Sequence, residues 1–305
     1  MRQKLIIILC MIASLGAWGQ KTYTYTIRDT MEMKLDVYSP QQPRADKACV
    51  IYVFGGGFFT GARDDSASVI ACKRLTEQGF TAISIDYRLK LGNVSFDTVK
   101  LLKAYKLFYY VIDEAVADCC SAIKFVYEHA SELNIDKENI ILTGSSAGAI
   151  TVLQTDYSRA NHLNVARELP SEFIPAAVIP YAGAIYTLKG KVHYDTPPAP
   201  TCFFHGTKDR IVNYHRFHAS LQASLNGSDK LEKIFEKNHY NHWILRYEGI
   251  GHEVAGYLPK TIEEFTAFAD AVLSGRDMDY DATCKDTACK PTPMSKMSVF
   301  DLYLK

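Results

Sequence analysis

Residues 139–155 read "NIILTGSSAGAITVLQT", and the fold turns on how this stretch is read. Asn139 to Gly144 reads as a short strand, and Ala147 to Thr155 opens a helix. Between them Gly144-Ser145-Ser146-Ala147-Gly148 matches G-x-S-x-G with Ser146 at its centre. Alone the pentapeptide is a weak signal, and its bland reading is a turn serine. Set between a strand and a helix, it predicts a strained turn that lifts Ser146 Oγ above a sheet edge, with the two glycines permitting tight packing.

Outward from this turn, strands and helices alternate. Upstream, "YTYTIRD" (23–29) and "MKLDVYSP" (33–40) alternate as an antiparallel pair does, and "ACVIYVFG" (48–55) is a continuous apolar run expected of a strand buried on both faces. A helix over Ser66 to Gln78 ends at Gly79, and "TAISIDYRL" (81–89) is a further buried strand. The segment from Asp97 to Leu133 is helix-rich and long enough for two helices. Downstream, "AAVIPYAGA" (176–184), "PTCFFHG" (200–206) and "HWILRYEG" (242–249) are expected strands, with helices at "FHASLQASL" (217–225) and "TIEEFTAFADAVL" (261–273). This rhythm predicts an α/β fold in one domain, residues 20–275: a mostly parallel central sheet with an antiparallel N-terminal hairpin and helices on both faces. Residues 276–305 form a polar tail.

A second unusual stretch is "VFGGGFFTG" (53–61), with Gly55, Gly56 and Gly57 consecutive after an apolar run. Three adjacent glycines are costly on folding unless positive φ or close backbone approach requires them. A Walker loop fails, because Ala62 and Arg63 follow Gly61 where Lys and a hydroxyl are needed. The dinucleotide fingerprint fails too, since Thr60 occupies the place of its third glycine. Phosphate is therefore a poor ligand for this loop, and an oxyanion a better one.

The chain has 305 residues, 48% hydrophobic, with 34 basic and 34 acidic side chains, so no net basic field argues for nucleic acid or an anionic membrane. Residues 1–19 have Arg2 and Lys4, an apolar run from Leu5, and Ala17-Trp18-Gly19, the layout of a secretory signal peptide cleaved before Gln20. Leu5 to Gly19 falls short of the roughly 20 residues that a spanning helix needs. The expected location is thus periplasmic or extracellular. Of the eight cysteines Cys10 leaves with the signal, and the other seven lack zinc-site C-x-x-C spacing. Cys49, Cys119, Cys120 and Cys202 sit in apolar runs as small hydrophobes, and Cys72 on a helix. Cys284 and Cys289 are near enough in sequence to close a short loop in an oxidising compartment.

A serine hydroxyl needs a base, usually a histidine that a carboxylate orients. His252 in "EGIGHEV" follows the last strand, at the sheet edge where parallel strands present their loops. His239 and His242 precede or begin that strand and lie at the other end. Asp209 in "FFHGTKDRIV" follows the strand at 200–206 and falls between Ser146 and His252, giving the order Ser, Asp, His. Glu248 is the alternative acid, but it should lie within the last strand. Acyl transfer also needs donors for the developing oxyanion. The N–H of Ala147, after the nucleophile, is one, and the loop holding Gly56 and Gly57 offers the others.

These residues resemble the α/β-hydrolase superfamily, and most of all its carboxylesterase/hormone-sensitive-lipase-like branch with bacterial feruloyl- and acetyl-esterase-like enzymes. The resemblance rests on "FGGGF" (54–58), "DYRL" (86–89), "NIILTGSSAGA" (139–149), "HGTKD" (205–209) and "GIGHE" (249–253), covering residues 48–275. It implies the α/β-hydrolase fold and acylation of Ser146 with His252 as base, then hydrolysis of the acyl-enzyme. The substrate it implies is a small-molecule or carbohydrate-linked ester, with no cofactor and no metal. The sequence departs from the family at Phe54, where HGGG has histidine, at Ala149, where glycine is frequent, and in the long interval between Asp209 and His252. The short segment from Tyr157 to Ile174 implies a small lid or none. The aromatic stretch at 101–114 is either a wall of an acyl or aryl pocket or an amphipathic helix packed on the sheet. Two other readings share the fold: a prolyl-oligopeptidase-like serine peptidase, against which the glycine loop counts, and a non-catalytic binding protein, which predicts loss of a triad member.

Overall fold

A computed structural model of the protein describes residues 20–92, 94, 101–188, 191–218, 223–276, 279–285, 292–298 and 301. The expected signal peptide and Cys289, one half of the expected cysteine pair, lie outside these residues.

The strands are β1 (Gln20–Arg28), β2 (Met31–Tyr38), β3 (Cys49–Val53), β4 (Thr81–Ile85), β5 (Ile140–Ser145), β6 (Ala177–Tyr181), β7 (Ala184–Thr187), β8 (Thr201–Gly206), β9 (Arg216–His218), β10 (Ser224–Gly227), β11 (His242–Tyr247) and β12 (Asp279–Cys284). Nine form one sheet in the order β1-β2-β4-β3-β5-β6-β8-β11-β12. β1 pairs antiparallel with β2 and β2 antiparallel with β4, and every other neighbouring pair is parallel. The expected mostly parallel sheet with an N-terminal hairpin is thus present. β3, β4, β6 and β8 are buried along their whole length, as expected of strands covered on both faces.

The helices are α1 (Ser66–Glu77), α2 (Leu101–Glu128), α3 (Ala147–Ala160), α4 (Ser228–Asn238) and α5 (Ile262–Leu273). α3 packs over β3, β5 and β6 with α2 against it and against β1, while α1 on β3 and β4 and α5 on β6 meet through residues 258–260. Asp65 caps α1 by accepting from Ser68 N–H at 2.8 Å. Among the described residues no helix is long and apolar enough to cross a membrane.

Four differences from the sequence reading have physical causes. Among the described residues of the segment at 97–133 there is one long helix, since no glycine or proline interrupts Leu101–Glu128. Its aromatic residues pack beside β7: the Tyr109 ring is 5.9 Å from that of Tyr186, whose hydroxyl donates to Tyr105 O at 3.0 Å. Residues 176–184 divide between β6 and β7, and β7 leaves the main sheet for a three-stranded one ordered β7-β10-β9. The stretch at 217–225 is expected to be helical, but its described ends are strand, Phe217 and His218 in β9 and Ser224 and Leu225 in β10. Phe217 and Leu225 have helical spacing, but they face one another across β9 and β10, and β10 also pairs with β7. Nonlocal strand pairing overrides the local pattern. Within the stretch read as a polar tail, β12 adds a parallel strand beside β11, from His242 opposite Asp279 to Tyr247 opposite Cys284.

Candidate active site

β3, β5, β8 and β11 run parallel, so the turns that follow them emerge at one sheet edge. These turns carry Gly55–Gly57, Ser146, Asp209 and His252.

Ser146 joins β5 to α3 at φ 52° and ψ −113°, a region that costs a non-glycine residue about 1–3 kcal/mol. The surroundings hold it there. Its N–H donates to Tyr181 O at 2.9 Å, and its carbonyl accepts from Ile150 N–H at 2.9 Å. A Cβ on Gly148 would stand 2.0 Å from Val53 O, so α3 meets β3 backbone to backbone. This is the close approach that the G-x-S-x-G glycines allow. Ser145 Oγ donates to Ala255 O at 2.7 Å, tying the turn to the short helix His252–Gly256.

Ser146 Oγ is 2.8 Å from His252 Nε2, and His252 Nδ1 is 2.7 Å from Asp209 Oδ2. The other Asp209 oxygen accepts from Ile211 N–H at 2.9 Å and Val212 N–H at 3.1 Å. Asp209 and His252 are both buried. Burial by itself would raise the Asp209 carboxyl, but the His252 charge and then hydrogen bonds from His205 and His252 hold it below the ordinary carboxylate range. An ionised Asp209 only accepts, so His252 Nδ1 carries a proton and its Nε2 lone pair faces the Ser146 hydroxyl. That arrangement is able to take the hydroxyl proton while the serine oxygen attacks.

The structure therefore brings Ser146, Asp209 and His252 together. Glu248, the alternative acid, is exposed and pairs with Lys285 at 3.6 Å. His239 ends α4 and His242 begins β11, at the opposite end of that strand. The motifs in the sequence do not point to His205. Its signal was a histidine inside the apolar run of β8, where it is fully buried and touches Asp209.

Gly55 backs onto the serine turn: a Cβ there would stand 3.0 Å from Ser145 O and 3.3 Å from Ser146 Cβ. Gly56 has φ 118° and Gly57 φ 62°, and Gly56 O accepts from Phe59 and Thr60 N–H, each at 3.1 Å. Ala147 is the first residue of α3, where a helix leaves N–H groups without intrahelical acceptors. The three amides named from the sequence, on Gly56, Gly57 and Ala147, thus belong to two turns in contact. Phe54, in place of the family's histidine, is set by aromatic packing. Its ring is 4.5 Å from the Tyr87 ring at 31°, and the Tyr87 hydroxyl donates to Phe54 O at 3.0 Å. Among the described residues no cluster of three or more His, Cys, Asp or Glu side chains is arranged to hold a metal.

Several known proteins resemble this chain. The BD-FAE family model matches residues 35–169. An arylesterase of Saccharolobus solfataricus is 30% identical over 142 residues, 46% of this chain and 40% of the relative. Gut esterase 1 of Caenorhabditis briggsae is 29% identical over 131 residues, 43% of this chain and 22% of the relative. The chain thus matches less than half the length of either curated relative. Among solved structures, the thermophilic esterase Est2 of Thermogutta terrifontis superimposes with TM-score 0.56 at 20% identity, covering 82% of this chain and 91% of that one. Strand order, serine turn and the likeness to solved esterase structures give this chain the α/β-hydrolase fold, and residues 35–169 resemble the BD-FAE family.

Proposed function

We propose that the protein is a serine carboxylic-ester hydrolase with Ser146 as nucleophile, His252 as general base and acid, and Asp209 as the group that orients the imidazole. The observation that carries this reading is the unbroken hydrogen-bond chain from Ser146 Oγ through His252 to Asp209. Ser146 Oγ attacks the ester carbonyl as His252 Nε2 takes its proton. The carbonyl oxygen becomes an oxyanion facing the N–H groups of Gly56, Gly57 and Ala147. His252 then returns the proton to the departing alkoxide, leaving an acyl-serine. Water attacks the acyl-serine with His252 again as base, and the acid product leaves with Ser146 restored. Losing one oxyanion donor from such a site costs on the order of 3 kcal/mol of transition-state stabilisation.

The substrate in this proposal is a small-molecule ester, extending to acyl or feruloyl groups on carbohydrate, met outside the cytoplasm after cleavage before Gln20. The test is fluorophosphonate labelling of wild type and Ser146→Ala, followed by acetyl-, aryl- and feruloyl-ester substrates and a proline-containing peptide amide. The Thermogutta terrifontis esterase has been seen phosphorylated by paraoxon and bound to propionate, so propionyl esters join the panel. The proposal expects labelling and ester cleavage in wild type and neither in Ser146→Ala. Labelling that persists in Ser146→Ala overturns the nucleophile, and cleavage of the peptide alone overturns the substrate class. N-terminal sequencing of exported protein reads the cleavage site.

A further inference from the structure

Glu253, the last residue of "GIGHE", has no part in the proton transfers, yet its carboxylate reaches in two directions. Oε2 accepts from Gly251 N–H at 3.0 Å, fixing the backbone just before His252. Oε1 accepts from Thr292 N–H at 2.8 Å and from Thr292 Oγ1 at 2.5 Å. Thr292 lies 39 residues further along the chain. Its hydroxyl also accepts from Met294 N–H at 3.2 Å, capping the short helix Pro293–Lys296. That helix packs against the His252–Gly256 helix. A few residues later Ser298 bridges in parallel to Arg210, the residue after Asp209. Met297, between these contacts, is half-buried against the core. One segment, residues 292–298, thus touches the neighbours of both the base and the acid. The two turns also press together directly, since a Cβ on Gly206 would stand 2.2 Å from Gly251 O.

We propose that Glu253 is a positioning residue, which with Thr292 uses the segment 292–298 as a strap holding the His252 and Asp209 turns in register. The inference rests on the proposed roles of His252 and Asp209. It follows from the donor count. A carboxylate offers acceptors on both oxygens, and here one serves the base turn while the other serves the strap. Removing it leaves Gly251 N–H and both Thr292 donors without this partner and lets the imidazole drift from Ser146. Small misplacement in such a site lowers turnover rather than substrate affinity.

The test compares Glu253→Ala, Thr292→Val, Thr292→Ser and the double variant Glu253→Ala/Thr292→Val. Each is assayed with p-nitrophenyl acetate, and kcat is expressed per fluorophosphonate-titrated site so that unfolded protein does not count. Glu253→Ala should lower kcat roughly tenfold with KM within about twofold. Thr292→Val should lower kcat by less, Thr292→Ser should restore it, and the double variant should be no worse than Glu253→Ala because the two act through one contact. An unchanged kcat per titrated site in Glu253→Ala and Thr292→Val overturns the strap, as do losses that simply multiply in the double variant. A shifted acid limb of the pH profile at unchanged plateau also overturns it, since Glu253 would then act by charge. If Glu253→Ala does not fold, the Thr292→Val and Thr292→Ser pair decides. An active Ser146→Ala would overturn the site itself, whereas an inactive Ser146→Ala beside an unaffected Glu253→Ala removes only the strap.

Discussion

His205 Nε2 lies 3.3 Å from Asp209 Oδ2, the same oxygen that accepts from His252. It is also 2.9 Å from Val212 O, which only accepts, so Nε2 carries a proton that it shares between two oxygens. Nδ1 sits 2.7 Å from Ser228 Oγ at the start of α4. His205 thus anchors the acid from behind. His205→Leu leaves the carboxylate short of a donor and should lower unfolding free energy by about 1–3 kcal/mol in urea titrations. An equal stability in wild type and variant would show that the carboxylate does not need this donor.

The pH dependence separates acid from base. Asp209 is held below its ordinary value in the folded state, so its stabilisation is complete above the unfolded carboxyl value of about 3.9 and is lost only as pH falls through the lower folded value. Between pH 5 and 8 this group leaves stability unchanged. Activity nevertheless depends on a free lone pair at the base, so it should be lost once the imidazole is protonated. kcat/KM profiles and thermal melts over that window check both statements. A flat activity profile would count against a histidine base.

Backbone strain at Ser146 predicts an inversion of the usual effect of glycine. At φ 52° a Cβ is unfavourable, so Ser146→Gly should be more stable than Ser146→Ala by about 1 kcal/mol while both are inactive. Differential scanning calorimetry of the two variants measures the difference. A more stable alanine variant would mean that the turn relaxes once the hydroxyl is gone.

Tyr87→Phe keeps the ring against Phe54 and deletes the hydroxyl that donates to Phe54 O. The expected loss is about 1 kcal/mol of stability, with a larger proportional fall in kcat than rise in KM because the glycine loop shifts. Steady-state kinetics beside urea melts separate the two effects.

Cys49, Cys72, Cys119, Cys120 and Cys202 are buried, and burial raises each thiol above its ordinary range. Iodoacetamide at pH 8 should leave these five unmodified in native protein and alkylate all of them in urea, as read by peptide mass spectrometry. Rapid native alkylation at any of the five would show that its strand or helix opens.

The parts legible in the sequence were those with local causes. Ile140 to Leu142 is apolar because both faces of β5 are covered, and Gly148 is glycine because Val53 leaves no room. The order Ser146, Asp209, His252 followed from which strand ends share an edge. What escaped notice depends on distant partners. Phe217 and Leu225 keep a helical spacing that their pairing with each other and with β7 overrules. β12 carries Asp279 and Asp281 and reads as polar because it borders the sheet beside β11. Glu253 has its second partner at Thr292, and no periodicity links positions so far apart.

The contact of Gly148 with Val53 carries a last consequence. β3 ends in the glycine loop and α3 begins at the serine, so hydroxyl and amides are built into one rigid backbone joint. Under the proposed function, the side chains around the joint would set which acyl and alcohol groups fit, while the joint itself fixes the distances on which bond cleavage depends.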